Sequence, residues 1–407
     1  MKKSKTLFSP RKLIYLILIV ILVITIPDLN TPSMGDTNAI VTLLSVDKSG
    51  DGLVASANVI KPSGASGMCC ETYSATNSTL GEAIEDISYM IGKELAFSQC
   101  EVMAFGDELS NEGIMSALDY MTRVKKVSRN TLLINVGGDI KDFNKAIVDL
   151  SSKQQLKIEN ILGYDNKFTI HKENSIEEFY QRYYSPLGVC LLPRLEIGDT
   201  RLEEAIEVAA MEQSQSGVDE TNKNKPKFLT NNGEMTVYDK GEKIEIVDKE
   251  MTYNLSLLSP SGYKGTIKVD NVNDELYDNA TILFYVTNSK TKMSAKYDGD
   301  IPKVDVKISL SAYIEEIEED KPSKKFLIRN EQFMSDKARE RLKEEVIKRA
   351  QDAVEFCKEN ELDILNVYSK FDKYQHKKTN EQTKELDIVE FLKNVEYNFT
   401  VDVKSTY

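Results

Sequence analysis

The sequence predicts a mixed fold, α+β / α/β, of several sheets flanked by helices, and three observations carry that expectation. Short apolar runs alternate with amphipathic helical spacing between residues 79 and 197. Val304, Val306, Ile308, Leu310, Ala312 and Ile314 alternate strictly with Asp305, Lys307, Ser309, Ser311 and Tyr313, the period of a strand with one buried and one largely polar face. Ala338, Leu342, Val346, Ala350, Ala353 and Cys357 then recur at helical spacing in a highly charged segment, which would pack on such a sheet.

The chain opens on a targeting signal. Lys2, Lys3, Lys5, Arg11 and Lys12 precede an unbroken apolar stretch from Leu13 to Ile26, closed by Pro27 and Asp28. A cationic flank stays on the cytoplasmic side, so the chain beyond Asp28 is expected outside the cell membrane. The stretch is shorter than the roughly 20 residues of a spanning helix and fits a signal-peptide core. No Ala-x-Ala site comes after it, however, and it is read as an uncleaved anchor.

The elements come in order. Ala39 to Val46 and Leu53 to Ile60 form a hairpin around Asp47-Lys48-Ser49-Gly50-Asp51-Gly52. That loop imitates the start of a calcium-binding EF-hand, but its twelfth position is Asn58 in an apolar strand, so no calcium site is expected. Thr79-Leu80-Gly81-Glu82 has capping-box spacing and opens a helix to about Leu95. A strand at Glu101 to Phe105, a helix from Asn111 to Met121, a strand at Thr131 to Val136 and a helix from Asp139 to Leu150 come next. Ile176 to Tyr184 (helix) and Val189 to Ile197 (strand) complete the region.

Composition then shifts. Glu212 to Lys227 holds a single aliphatic residue, Val218, and cannot bury a core. The expected organisation is a cytoplasmic tip and anchor at 1–36, an N-terminal α/β region at 37–197 with room for two subdomains, a linker at 198–228 and a C-terminal α/β domain at 229–407. The last begins with a hairpin, Met235 to Tyr238 and Ile244 to Val247. It continues with strands at Ile267 to Val269 and Ile282 to Val286 and ends on a strand through Val395, Tyr397, Phe399, Val401 and Val403.

Chemistry is sparse. The net charge is −13 although the first 36 residues are basic, which argues against nucleic acid as a partner. Cys69, Cys70, Cys100, Cys190 and Cys357 are odd in number and scattered, and read as free thiols rather than a disulfide framework or metal site. The two histidines, His171 and His376, sit among lysines. No G-x-S-x-G, H-E-x-x-H or nucleotide-binding glycine pattern occurs. Neither a catalytic residue nor a cofactor or metal site is expected. Two other classes stay open from the residues alone: a solute-binding protein using tyrosines in place of the absent tryptophan, and a cell-wall hydrolase built from carboxylates.

One ordered series of residues points further. Cys100-Glu101-Val102-Met103-Ala104-Phe105-Gly106-Asp107-Glu108-Leu109, then Gly113-Ile114, then Leu118-Asp119-Tyr120-Met121-Thr122-Arg123 and Arg129, resembles the Ger(x)C family, the C subunits of spore germinant receptors. Val59-Ile60-Lys61-Pro62, Thr236-Val237-Tyr238-Asp239-Lys240 and Leu362-Asp363-Ile364-Leu365 are similar to other family segments. Two departures stand out: no cysteine at the end of the export signal for a lipid anchor, and Val124 where an aspartate often comes after the first arginine. The resemblance implies three α/β domains, no enzymatic activity, and a place at the cell or spore inner membrane beside a multi-pass partner and a second integral subunit. It singles out Arg123 and Arg129 as candidate partner-contact or helix-capping residues, both flanking a helix C-terminus where a cation is favoured.

Overall fold

The computed structural model describes residues 38–63, 67–154, 174–198, 228–260, 262–318, 334–384 and 386–406. The expected anchor at Leu13 to Ile26, His171 and nearly all of the linker lie outside them.

The first sheet grows from a meander. Strands β1 (Asn38–Ser49) and β2 (Gly52–Ser63) pair antiparallel across a turn at Gly50, and β3 (Gly67–Asn77) continues on β2. Helix α1 (Leu80–Ile91) starts where the capping box places it: Thr79 Oγ1 accepts the Glu82 N–H at 3.2 Å while Glu82 Oε2 accepts the Thr79 N–H at 3.2 Å. It ends short of the expected Leu95. Gly92 takes a left-handed conformation at φ 71°, and Glu94–Ala96 becomes β4, parallel to β1. Thr79→Ala is expected to cost about 1 kcal/mol in chemical unfolding, the usual worth of such a cap.

The alternation then runs β5 (Val102–Gly106), α2 (Asp107–Glu112), α3 (Met115–Arg123), β6 (Leu132–Gly137), α4 (Ile140–Gln154), α5 (Ile176–Tyr183) and β7 (Val189–Gly198). The single helix expected from Asn111 to Met121 is two, because Gly113 adopts φ 111°, a conformation open to glycine that breaks the helix. Strands β1, β5, β6 and β7 run parallel in that order. Their side chains alternate between two cores. Met103 and Phe105 pack beneath α1, α3 and α5, whereas Val102 and Ala104 pack against Phe143 and Ile147 of α4.

After the linker the chain returns to the same sheet. Strand β8 (Phe228–Thr230) pairs with β7, and so does the first strand of the hairpin β9 (Met235–Asp239) and β10 (Glu242–Val247). Met235, Val237 and Val247 meanwhile pack into the core of the second half. The hairpin thus belongs to the first sheet by hydrogen bonds and to the second half by burial.

Helix α6 (Lys249–Leu258) leads to a four-stranded sheet of β11 (Gly265–Val272), β12 (Ala280–Asp298), β13 (Ile301–Glu318) and β14 (Glu396–Ser405), in that order, with β14 parallel to β13. The charged helix α7 (Asp336–Glu359) covers it as expected, burying Ala338, Leu342, Val346, Ala350, Ala353 and Cys357 in the same core as Val304 to Leu310. Helices α8 (Val367–Gln382) and α9 (Ile388–Lys393) complete that layer. The fold is therefore mixed α/β, two sheets flanked by helices. Helices α6, α8 and α9 were not anticipated from the sequence. Helix α6 buries Thr252, Asn254 and Ser256 along with its leucines, and α8 buries only Val367, Tyr368 and Phe371 among its large apolar residues while Tyr374 is exposed, so neither shows a clear apolar stripe.

Candidate functional site: an arginine groove beside a buried ion-pair knot

Arg123 and Arg129 line one surface groove of about 550 Å3, walled by Met115, Asp119 and Thr122 of α3 and by Glu177 and Tyr180 of α5. Ser175 and Glu178 form a second capping box that fixes where α5 begins. The N–H groups of Ile176 and Glu177 bond the carbonyls of Thr131 and Arg129, each at 3.0 Å, which seats α5 beside α3. Arg123 Nε donates to Asp119 Oδ2 at 3.1 Å, and Arg129 Nη1 donates to Glu177 Oε2 at 2.8 Å. Neither side chain reaches the last carbonyls of α3. Backbone N–H groups close that end instead, Val124 to Tyr120 O at 2.9 Å and Val127 to Met121 O at 3.2 Å.

The hydrogen bond from Arg129 holds the Glu177 carboxyl below the usual range. Tyr180 shares a hydrogen bond with Thr122 at 3.1 Å and stacks on Tyr184, which is 76% exposed. Two exposed guanidinium groups over an aromatic wall can exchange an internal carboxylate for one offered by a partner. Arg and Tyr are the residue types enriched at protein interfaces.

Near the carboxyl ends of β5, β6 and β7 lies a buried knot of charge. Arg194 of β7, 6% exposed, grips Asp107 of α2 with both prongs, at 2.7 and 2.8 Å, and gives its Nε to Glu196 at 2.7 Å. Lys243 of β10 also reaches Asp107, and Asn135 of β6 accepts from Arg194 and, at 2.8 Å, from Thr236. Tyr238 shares a hydrogen bond with Ser110 at 2.8 Å. Sequence reading passed over Arg194; the available signal was an arginine and a glutamate, Glu196, two residues apart in a largely apolar strand, where a buried charge needs a partner.

This chemistry is structural. Burial alone would raise the Asp107 carboxyl, but the bonds from Arg194 and Lys243 outweigh it and hold the group down to about 2, too acidic to exchange protons near neutral pH. Burial pushes the thiols of Cys100, Cys190 and Cys357 up to about 12, so none is a ready nucleophile. Cys100→Ser, Cys190→Ser and Cys357→Ser should each lower stability by about 1–3 kcal/mol in chemical unfolding and leave function intact. Asp47, in the loop that imitates an EF-hand, turns Oδ1 to the N–H groups of Lys48 and Leu109, at 2.8 and 2.9 Å. His376 is exposed and pairs with Asp372 at 2.6 Å. Among the described residues no cluster of three metal-ligating side chains forms.

Comparison with known proteins decides the family. Residues 36–197 match the spore germination protein N-terminal domain, and residues 233–406 match the family described as spore germination B3/GerAC like, C-terminal. The chain belongs to the Ger(x)C family. One solved structure, the crystal structure of the GerBC protein, is similar over 89% of this chain and 96% of that one, with 13% identity and a TM-score of 0.46. No curated protein sequence matches this chain. The family is that of spore germinant receptor C subunits, so the role is one in germination.

The Ger(x)C motif residues have physical tasks here. A side chain at Gly106 would collide with the Asp47 carboxylate, which caps α2 from outside by accepting the Leu109 N–H. Gly113 frees Ile114, whose N–H donates to Gly241 O at 2.9 Å in the β9–β10 turn. Gly241 in turn has no room for a Cβ against Met115. The motif therefore fastens the hairpin that comes after the linker onto the helices that precede it.

Proposed function

We propose that this Ger(x)C protein is a membrane-held, extracytoplasmic accessory subunit of a germinant-receptor-like complex, acting by protein contact in nutrient-triggered spore germination and catalysing nothing itself. The observation that carries this reading is that both halves match spore germination families, while the buried charges around Asp107 are held in structural pairs. Its partners are a multi-pass membrane subunit and a second integral subunit, and the arginine groove is the contact face. The anchor is Leu13 to Ile26, left uncut; among the described residues, which begin at Asn38, no helix is long and apolar enough to cross a membrane.

Two experiments test this. Spores lacking the chain should germinate slowly or not at all on a nutrient to which the parent responds, and an unchanged response would remove the receptor role. Intact mass of the membrane-extracted protein should retain Met1 or Lys2; a mature chain beginning between Asn30 and Thr37 would exclude the anchor.

A further inference from the structure

One end of the first sheet gathers several chain entries. Strands β1, β5 and β6 are parallel, with Leu43 beside Val102 and Val102 beside Leu132, so the chain that feeds β1 and the loop that feeds β6 enter at the same, amino end. The last turn of α1 lies there too, because it leads through Gly92 into β4, where Glu94 pairs with Asn38. Residues 27–37 separate the expected anchor from Asn38 and span at most about 40 Å when fully extended. A bilayer that holds Ile26 is therefore close to this end.

The surface at that end suits such a neighbour. Tyr184, Tyr89 and Met90 are 76%, 75% and 60% exposed, three of the four most exposed large apolar side chains among the described residues, and Val124 is 46% exposed. Tyr184 shares the groove with Arg123 and Arg129, and Val124 opens the loop to β6. That loop carries Arg123, Lys125, Lys126 and Arg129 in a chain whose net charge is −13. The arginines hold Asp119 and Glu177, whereas Lys125 and Lys126 pair with no carboxylate among the described residues. Glu85 accepts the Tyr89 hydroxyl at 3.0 Å, and Glu94 and Glu101 belong to the starts of β4 and β5 rather than to the loop. Tyrosine rings with one polar tip seat at the level of lipid headgroups, and clustered lysines attract anionic ones.

We infer that the amino end of the first sheet rests on an anionic lipid surface, with Lys125 and Lys126 against the headgroup phosphates and Tyr89, Met90, Val124 and Tyr184 in the headgroup layer. The inference rests on the membrane-held reading of the chain and gives it a second attachment besides the anchor. The absence of tryptophan from the chain allows a direct test. Full-length Val124→Trp is placed in nanodiscs of phosphatidylcholine with brominated acyl chains, with and without about 30% phosphatidylglycerol. Its single tryptophan should be quenched at least about twofold more with the anionic lipid than without it. Adding Lys125→Gln and Lys126→Gln, which break no ion pair among the described residues, should return the quenching to the level of the neutral lipid. Tyr374→Trp, at an exposed position of α8 in the other half, should be quenched with neither lipid. Equal quenching of Val124→Trp with both lipids, no effect of the two lysine changes, or quenching at position 374 as strong as at 124 would each overturn the inference. Intact mass reads the anchor and partner capture reads the groove, so failure of the lipid contact is distinguishable from failure of the receptor role.

Discussion

Arg194→Ala is expected to destabilise the protein by about 3–5 kcal/mol, the usual cost of removing one partner of a buried ion pair. The loss is large because one guanidinium serves Asp107, Glu196 and Asn135 at once, and alanine leaves the buried Asn135 without that donor while Asp107 and Glu196, both partly exposed, fall back on water. Lys243 still reaches Asp107, which keeps the cost from the upper end of the range. Arg194→Lys should recover only part of the loss, since an ammonium cannot reproduce the two-pronged grip.

The same knot gives a pH signature. The Asp107 carboxyl is lowered on folding, from 3.8 to about 2. A depressed acid stabilises the fold fully above its unfolded value and loses that contribution as pH falls through the folded one, so the window is from about pH 4 to pH 2, worth on the order of 1 kcal/mol for a carboxyl that solvent partly screens. Chemical unfolding of parent and Arg194→Ala at pH 7 and pH 3 checks both statements. The stability gap between them should be smaller at pH 3 than at pH 7, by about half of that contribution; a constant gap would show that Asp107 contributes nothing to the acid dependence.

The second large effect is on association. Arg123→Glu with Arg129→Glu should abolish capture of the proposed membrane partner while barely moving the melting temperature. Both arginines are mostly exposed, and each belongs to a surface pair of the kind worth about 0–1 kcal/mol. Reversing the charges places glutamates next to Asp119 and Glu177, which turns a groove inviting a carboxylate into one that repels it. Arg→Lys at both positions keeps the charge and removes the planar fork, so partial capture by that variant would identify a geometric requirement. Full capture by the doubly reversed protein would place the contact elsewhere.

Much of this architecture was legible beforehand because periodicity is a local signal. The strict alternation from Val304 to Ile314 and the spacing from Ala338 to Cys357 each named a buried face that the structure confirms. Boundaries were less legible where a single backbone angle decides them, as at Gly92 and Gly113. The hairpin at Met235 to Val247 was recognised, but its sheet was not, since pairing with β7 is a long-range choice across the linker. The groove was half visible. Arg123 and Arg129 were singled out; Asp119, the partner of Arg123, lies four residues before it in the same motif, but Glu177, the partner of Arg129, arrives from a helix far along the chain. Beyond the Arg194 and Glu196 pair in one strand, the knot was hidden for the same reason, its members being drawn from α2, β6, β7, β9 and β10.

The most direct test of membership in a receptor complex is purification of the native, full-length protein from its own membranes in mild detergent, with mass spectrometry of what accompanies it. The expected companion is a multi-pass membrane protein in near-stoichiometric amount, bound to a chain that still carries residues 1–36. Recovery of the chain alone in the soluble fraction, or with no integral membrane protein beside it, would contradict that role.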